Sequence, residues 1–330
     1  MKNFNKYSRG VSIIGVECTP FVQVVMDETV EGITEGELFG SAAIEAMKDA
    51  GIESSDIEYY FHGQALPSQD SDYITPSVMV AEWFGMGDRP SSHHSEACGT
   101  GYVALEQGCM AVASGKYDVV LTGCVEMGNS LPVPGKPAHF RQEWGFAEFN
   151  QAAFMCFDRA YTRMLVGMGL GQFELSLHRY SLDYGFTDDQ IDDFLNACAI
   201  ANRYNASRTP LALRRQEYSE VAREFGFDDV NVFLKSAFNP KLTRYLRVSG
   251  MTERAEGAAC CIIVPTDMVK YYKKSKPIQV VGNGHSVTEY RVPYNEMVGT
   301  KRAARQAFES TGVRPEEIDL VLTIPSPIIG

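Results

Sequence analysis

The sequence predicts an α/β protein made of two duplicated halves, with a helical cap inserted in the first. Three observations carry that expectation. From residue 11 to residue 124, short β-branched runs alternate with helical patterns. Such alternation builds a largely parallel sheet covered on both faces. A β-α-β unit near the start is then written again near the end. VSIIG (11–15) is answered by IQVVG (278–282), and AIEAMKDAGIESSDIEYYF (43–61) by ARQAFESTGVRPEEIDLVL (304–322). Gly51 matches Gly312, Ile52 matches Val313, Asp56 matches Glu317 and Ile57 matches Ile318, all in one register, which marks a duplication. Between the copies, from about residue 128 to 252, the alternation gives way to aromatics and then to helices rich in polar residues.

Taken in order, VSIIGVE (11–17) is a strand ending in turn chemistry. Phe39, Ala43, Ala46, Met47 and Ala50 share one helical face. Thr34 and Glu37 have the spacing of a capping box, and Gly51 stands where a helix is closed. Residues 57–61 form a second strand and 76–84 a second helix. GYVALEQGCMAVASG reads as a helix stopped by Gly115, and DVVLTGC (118–124) as a buried strand. In the insertion a helix begins at Thr187, with Gln190 completing a capping box and Phe186 and Ile191 at staple spacing. GAACCIIV (257–264) resumes the strand pattern. The boundaries that follow are 1–127 for the first part of the N-terminal half, 128–252 for the cap, 253–268 for the last strand of that half and 269–330 for the C-terminal half. By the duplication, about 70 further residues would complete the second copy.

Composition narrows the function. The chain has 330 residues, 45% hydrophobic and 22% charged, with a net charge of −12. A core of one large or two moderate domains is affordable. No basic face for nucleic acid is expected. The start, MKNFNKYSRGVSIIG, lacks a signal-peptide pattern, and no apolar run is long enough to span a bilayer. Eight cysteines, none in a C-x-x-C pair, indicate reduced thiols and a cytoplasmic setting rather than disulfides or zinc.

Residues 95–105, SEACGTGYVAL, place Cys98 in a tight turn between a strand and a helix. This is the layout of a nucleophile elbow above the carboxyl end of a parallel sheet. Helix amides and the macrodipole there favour a thiolate. Gly99 and Gly101 would leave room for a bulky acyl thioester, and their amides would supply oxyanion donors. A buried structural cysteine at a β-α turn is the competing reading of the same stretch. His93 and His94 lie in the preceding strand and must point to opposite faces, so one at most approaches the thiolate. His94, and His285 in GNGHS, are the acid–base candidates, against packed or loop roles. His62 falls at a strand end, and His139 and His178 in the insertion. No histidine pair has metal spacing, so no metal is expected. Cys109, Cys124, Cys260 and Cys261 read as core thiols.

EACGTGYVAL, followed by GKYDVVLTGCVEM, closely resembles the thiolase superfamily, where a C-x-[ST]-G turn opens a helix and a G-x-x-DVVL-x-GG-x-E-x-M strand follows. VSIIGVECTPF resembles that family's V-x-I-x-G-x-x-RTPF start, with Glu17 and Cys18 in place of a small residue and arginine. RAEGAACCIIV resembles its D-G-A-A strand, with Glu256 for the aspartate. The resemblance covers nearly the whole chain and lies nearer the sterol-carrier-type and archaeal thiolases than the ketoacyl synthases. It implies a five-layered α-β-α-β-α fold, normally a dimer, and Claisen chemistry on acyl-coenzyme A through an acyl thioester on Cys98. Coenzyme A would be a co-substrate, with no covalently bound cofactor. Arg203, Arg208, Arg214 and Arg215 become candidates for its phosphates, with a solvated helix face as the alternative. The aromatics at 140–157 would form the cap core or line a pocket for a bulky or aryl acyl group. A small zinc-ribbon/OB-fold (DUF35-type) partner is also implied.

Two family features are not where the pattern puts them. VLTI (321–324) is followed by Pro325, Ser326 and Pro327 rather than an H-[DEN]-x-F histidine, and no G-H-P-x-G segment occurs in the sequence. Two other readings therefore stand beside the acyltransferase. One is a thiolase-fold aldolase acting on a hydroxyacyl-CoA, and the other is a non-catalytic subunit of a hetero-oligomer.

Overall fold

The computed structural model describes residues 9–27, 30, 32–65, 75–128, 130–137, 139–143, 169–251, 254–272, 276–287 and 298–322. The chain divides into two compact units. One comprises residues 1–145, 254–284 and 306–312, the other residues 146–253, 285–305 and 313–330.

In the first unit, β1 (Val11–Cys18), α1 (Glu35–Ala50), β2 (Tyr59–Gly63), α2 (Pro76–Ala81), β3 (Ser91–His94), α3 (Thr100–Ala113) and β4 (Val120–Met127) follow one another. A short hairpin, β5 (Ser130–Pro132) with β6 (Arg141–Glu143), precedes β7 (Glu256–Pro265) and β8 (Ile278–Val280). The main sheet has six strands in the order β3-β2-β4-β7-β1-β8. β2 is parallel to β3 and to β4, whereas β7 runs antiparallel to β4 and β1, and β8 antiparallel to β1. The expected largely parallel sheet is thus a mixed one. A right-handed crossover helix enforces parallel direction, and β7 is reached through the long insertion rather than through such a helix.

α1 begins where its sequence signals say. Thr34 accepts from the Glu37 N–H, the Glu37 carboxylate accepts from the Thr34 N–H at 2.8 Å, and Gly51 closes the helix at φ +71°. Its apolar stripe, with Phe39, Ala42, Ala43, Ala46 and Ala50, packs on one sheet face against Ile14, Tyr60, Leu121 and Ile262. Phe39, Tyr60 and Phe84 form a ring cluster with centroids 5.1–5.4 Å apart, each pair adding roughly 0.5–1.5 kcal/mol beyond buried area. The opposite face carries Val11, Phe61, Val120 and Ile263 against α3 residues Val112 and Ala113.

The duplication is visible in local geometry. A Cβ on Gly15 would lie 2.3 Å from the Ala46 carbonyl oxygen, and one on Gly282 would lie 3.1 Å from that of Ala307, the matching residue. Gly312 has φ +72°, as Gly51 has +71°. Each helix is followed by a 3₁₀ turn, Ser54–Asp56 or Pro315–Glu317, closed by a capping box. The second copy does not raise a sheet of its own among the described residues. β8 instead adds to the edge of β1, and Leu320, Val321 and Leu322, expected in a strand, are 73%, 71% and 81% exposed. A strand forms only against a neighbour that accepts its backbone hydrogen bonds, and no described strand lies beside these residues. Residues 323–330 lie outside the described residues.

The second unit contains α4 (Gly169–Tyr184), α5 (Asp188–Ser207), α6 (Tyr218–Glu224) and α7 (Val230–Lys235). α8 (Val298–Thr311) belongs to it up to residue 305. Thr187 and Gln190 form the expected capping box. Ile191 is buried with Leu177, Leu195 and Tyr245, while Phe186 stacks on Tyr180. Arg247 clamps Asp192 with two bonds of 2.8 and 2.9 Å and donates to the Asn239 carbonyl. Trp144, Phe146, Phe149, Phe154 and Phe157 of the predicted aromatic cluster lie outside the described residues, as does Cys156.

Because Gly15 lets the α1 backbone seat directly on β1, Gly15→Ala should cost about 2–3 kcal/mol. Urea unfolding of the variant beside the parent chain would measure it, and an unchanged midpoint would show that α1 can retreat freely.

Candidate active site

β2, β3 and β4 run side by side in one direction, with Gly63 opposite both His94 and Cys124. Their carboxyl ends therefore share one rim of the sheet, and the chain leaves β3 there to enter the Ser95–Gly99 turn. Ala97 has φ +46°, the one positive φ outside glycine among the described residues. Strain of that kind costs of order 1 kcal/mol and persists only where surroundings enforce it.

Thr100 enforces it here. Its Oγ accepts from the Glu96 N–H at 2.8 Å and donates to the Ala97 carbonyl at 2.7 Å, while its own N–H reaches the same carbonyl at 3.1 Å. The Gly99 N–H donates to the Glu96 carbonyl at 2.9 Å. That amide is spent inside the turn and not offered as an oxyanion donor, which corrects the expectation for Gly99. A tight turn must satisfy its own polar groups before it can serve a ligand. A Cβ on Gly101 would stand 3.6 Å from Cys124 Sγ, ordinary contact, so its openness faces the sheet as well as the solvent.

The outcome is an exposed Cys98 immediately ahead of the N-cap, Gly99, of a 14-residue helix. Among the described cysteines it alone is exposed. Burial, with the Glu126 carboxylate adding, pushes the Cys124 thiol up to about 12. Burial likewise pushes Cys261 to about 12 and, helped by Glu106, Cys109 to about 11. Cys260 rises well above the ordinary range. These stay thiols at neutral pH and are poor nucleophiles. Gly101 and Leu105 of α3, Thr122 and Cys124 of β4, Cys261 of β7 and Glu17 of β1 help line an open cleft of about 730 Å³, to whose lining Cys98 does not belong.

The paired histidines do point apart. His93 lies over His62, with ring centroids 5.7 Å apart, and His94 lies at the same separation from Phe61, on the α3 face. His94 is bonded to the Ser92 hydroxyl at 3.1 Å, and burial with His93 nearby lowers its pKa. His285 is exposed, in a segment of the second unit. Of the arginines, Arg203 lies over the Tyr218 ring and Arg208 over Tyr204, and Arg208 is paired with Glu217 at 2.9 Å. Both tie the cap's own loop together. Arg214 and Arg215 are exposed between α5 and α6. Among the described residues no cluster of three or more His, Cys, Asp or Glu is arranged to hold a metal ion, and no helix is long and apolar enough to cross a membrane.

Sequence reading missed a buried polar chain beneath this turn. Tyr60 donates to His62 Nδ1, and His62 Nε2 donates to Gln64 Oε1 at 3.4 Å. Gln64 Nε2 then donates to Glu35 at 2.6 Å, and all four residues are 0–1% exposed. The Gln64–Glu35 bond turns the amide oxygen toward His62 and so selects the neutral Nε2–H tautomer. The one signal in the sequence was YYFHGQ, a strand whose apolar run breaks into polar residues before it ends.

The turn, the mixed sheet and the repeated β-α-β unit agree with known proteins. Residues 11–171 match the thiolase N-terminal domain. The chain is 28% identical over 320 residues to an acetyl-CoA acetyltransferase of Methanothermobacter thermautotrophicus, covering 95% of this chain and 73% of that protein. It is 22% identical to the benzoylsuccinyl-CoA thiolase subunit BbsB of Thauera aromatica, covering 96% and 72%. Among solved structures, the acetyl-CoA acetyltransferase from Syntrophomonas wolfei superposes with a TM-score of 0.67 at 17% identity, covering 94% of this chain and 78% of that one. The Ltp2-ChsH2(DUF35) aldolase gives 0.64 at 19% identity, covering 94% and 71%. The fold is the thiolase fold, and residues 11–171 carry the likeness to the thiolase N-terminal domain.

Burial holds the His62 imidazole down to about 3, with His93 and His94 adding to the fall and the Gln64 bond opposing it. The unfolded chain takes up this proton near 6.5. His62 therefore contributes stability that is complete above pH 6.5 and is lost as the pH falls toward 3, at about 1.4 kcal/mol per pH unit. Unfolding free energies of the parent and of His62→Gln, measured from pH 7 to pH 4, should diverge by that slope. Parallel curves would mean that His62 is not held neutral.

Proposed function

We propose that this chain is a thiolase-type acyl-CoA C-acyltransferase with Cys98 as the acyl acceptor. The observation that carries the reading is the strained, Thr100-clasped turn that leaves Cys98 exposed at the start of α3 while the other described thiols are sheltered. In the cleaving direction the Cys98 thiolate attacks C3 of a 3-ketoacyl-CoA. The carbon–sulfur bond forms, the C2–C3 bond breaks, and its electron pair leaves on C2 as the enolate of acetyl-CoA, which takes a proton. A second coenzyme A then gives up its thiol proton and attacks the Cys98 thioester, whose carbon–sulfur bond breaks to free the enzyme. Condensation is the reverse.

The likeness to BbsB supports an aryl-substituted acyl group and a subunit role in a hetero-oligomer. The likeness to the Ltp2-ChsH2(DUF35) aldolase supports a DUF35-type partner. Arg214 and Arg215, exposed on the α5–α6 connection, are candidates to meet the coenzyme A phosphates. The same aldolase likeness favours a second reading, carbon–carbon cleavage of a hydroxyacyl-CoA, which proceeds without free coenzyme A.

Incubation with a 3-ketoacyl-CoA in the absence of free coenzyme A should leave one acyl adduct on the Cys98 peptide by mass spectrometry. Cys98→Ala should lose the adduct and lower thiolysis by about a thousandfold or more. Full thiolysis by the variant would end this reading, and product formation from a hydroxyacyl-CoA with no adduct would put the aldolase in its place.

A further inference from the structure

We infer that Gln64, held by the Glu35 carboxylate next to an Ala65 N–H held by Glu126, is the positioning residue for the Cys98 turn. The inference rests on the reading of Cys98 as nucleophile. β2 ends at Gly63, where its last pairings with β3 and β4 also end. Two residues further on, the backbone is still held. Gln64 N–H donates to the His94 carbonyl at 3.1 Å, His93 Nε2 donates to the Gln64 carbonyl at 3.1 Å, and the Ser95 hydroxyl donates to the Ala65 carbonyl at 3.2 Å. Residues 93–95 are thereby zipped to residues 64–65, and the strained turn begins at the next residue.

Residues 64–65 are themselves anchored from below. The Gln64 side chain, 1% exposed, donates to Glu35 at 2.6 Å, and the Ala65 N–H donates to the Glu126 carboxylate. Glu35 comes from the first turn of α1 and Glu126 from β4, so the brace refers the turn to a helix and a strand that are fixed by the core. Shape alone does not call for it. An apolar cluster of the same volume would be at least as stable, since buried polar pairs seldom gain over well-packed hydrophobic ones. Directional bonds contribute orientation, and a misplacement of about 1 Å at a reacting atom costs about a hundredfold in rate.

The test uses the full chain and two readouts, steady-state thiolysis and carbamidomethylation of Cys98 by iodoacetamide, followed by peptide mass spectrometry. Gln64→Met keeps the shape and removes the bonds. It should lower kcat about tenfold with KM within about twofold, and change the alkylation rate about threefold or more. Glu35→Gln keeps an acceptor for Gln64 and should retain both values within about twofold. Glu35→Leu with Gln64→Met removes the Glu35 carboxylate as well and should recover part of the lost thermal midpoint, since His62 Nε2–H still lacks its acceptor, without recovering kcat. Parent values of kcat and alkylation rate in Gln64→Met would overturn the brace, as would losses that vanish when rates are normalised to the folded fraction. The alkylation arm needs no substrate. If Cys98→Ala kept its turnover, the nucleophile reading would fall while this measurement still decided the brace.

Discussion

The site depends on a close approach that only a missing side chain permits. A Cβ on Gly63 would lie 2.2 Å from Cys124 Sγ and 3.0 Å from Thr100 Cγ2. The first turn of α3 can therefore seat on the ends of β2 and β4, with Thr100 buried beneath it. Once it is seated, the chain leaving β3 has only Ser95–Gly99 in which to reverse into the helix. Thr100 closes that reversal from inside, and Ala97 takes up the left-handed backbone that results. Cys98 projects outward because the inner side of the turn is already filled by Thr100.

The same seating separates one thiol from the rest. Cys124, Cys260 and Cys261 sit on β4 and β7, the central strands of the sheet, where desolvation penalises the thiolate. Cys98 lies beyond the strand ends, beside a helix terminus, where no such burial acts. Among the sheet thiols the rise in pKa thus follows from depth rather than from the residue type.

Beneath the turn the protein spends buried volume on polar groups. Tyr60, His62, Gln64 and Glu35 form a line of donors that all point toward one carboxylate, and each bond sharpens the next. A neutral His62 is required for this order, since a second ring proton would meet the Tyr60 hydroxyl head on. Burial supplies that neutrality. The two copies of the β-α-β unit share the glycine contact of strand on helix and the capped 3₁₀ turn, but Val321 stands in the second copy where Tyr60 stands in the first. Gly312 and Glu317 repeat a local solution, while His62 and Gln64 belong to the tertiary setting of the first copy alone.

Much of the fold was legible in residues whose signals act over a few positions. Thr34, Glu37 and Gly51 bound α1, and Thr187 and Gln190 begin α5, because capping is decided by near neighbours. Cys98 was legible too, through its turn and its C-x-[ST]-G spacing. The direction of β7 was not, since it is set by a connection of more than a hundred residues and by which sheet edge is open. Nor was the loss of the Gly99 amide to its own turn, which follows from the Thr100 clasp. His62 and Gln64 showed only as a break in the apolar run of YYFHGQ, and nothing local joins them to Glu35 or Glu126. Sequence by itself determined the repeat, the caps and the exposed cysteine. Only the tertiary structure decided what holds that cysteine in place, because polar groups from α1, from the end of β2 and from β4 acquire a role only when the core brings them within hydrogen-bond reach.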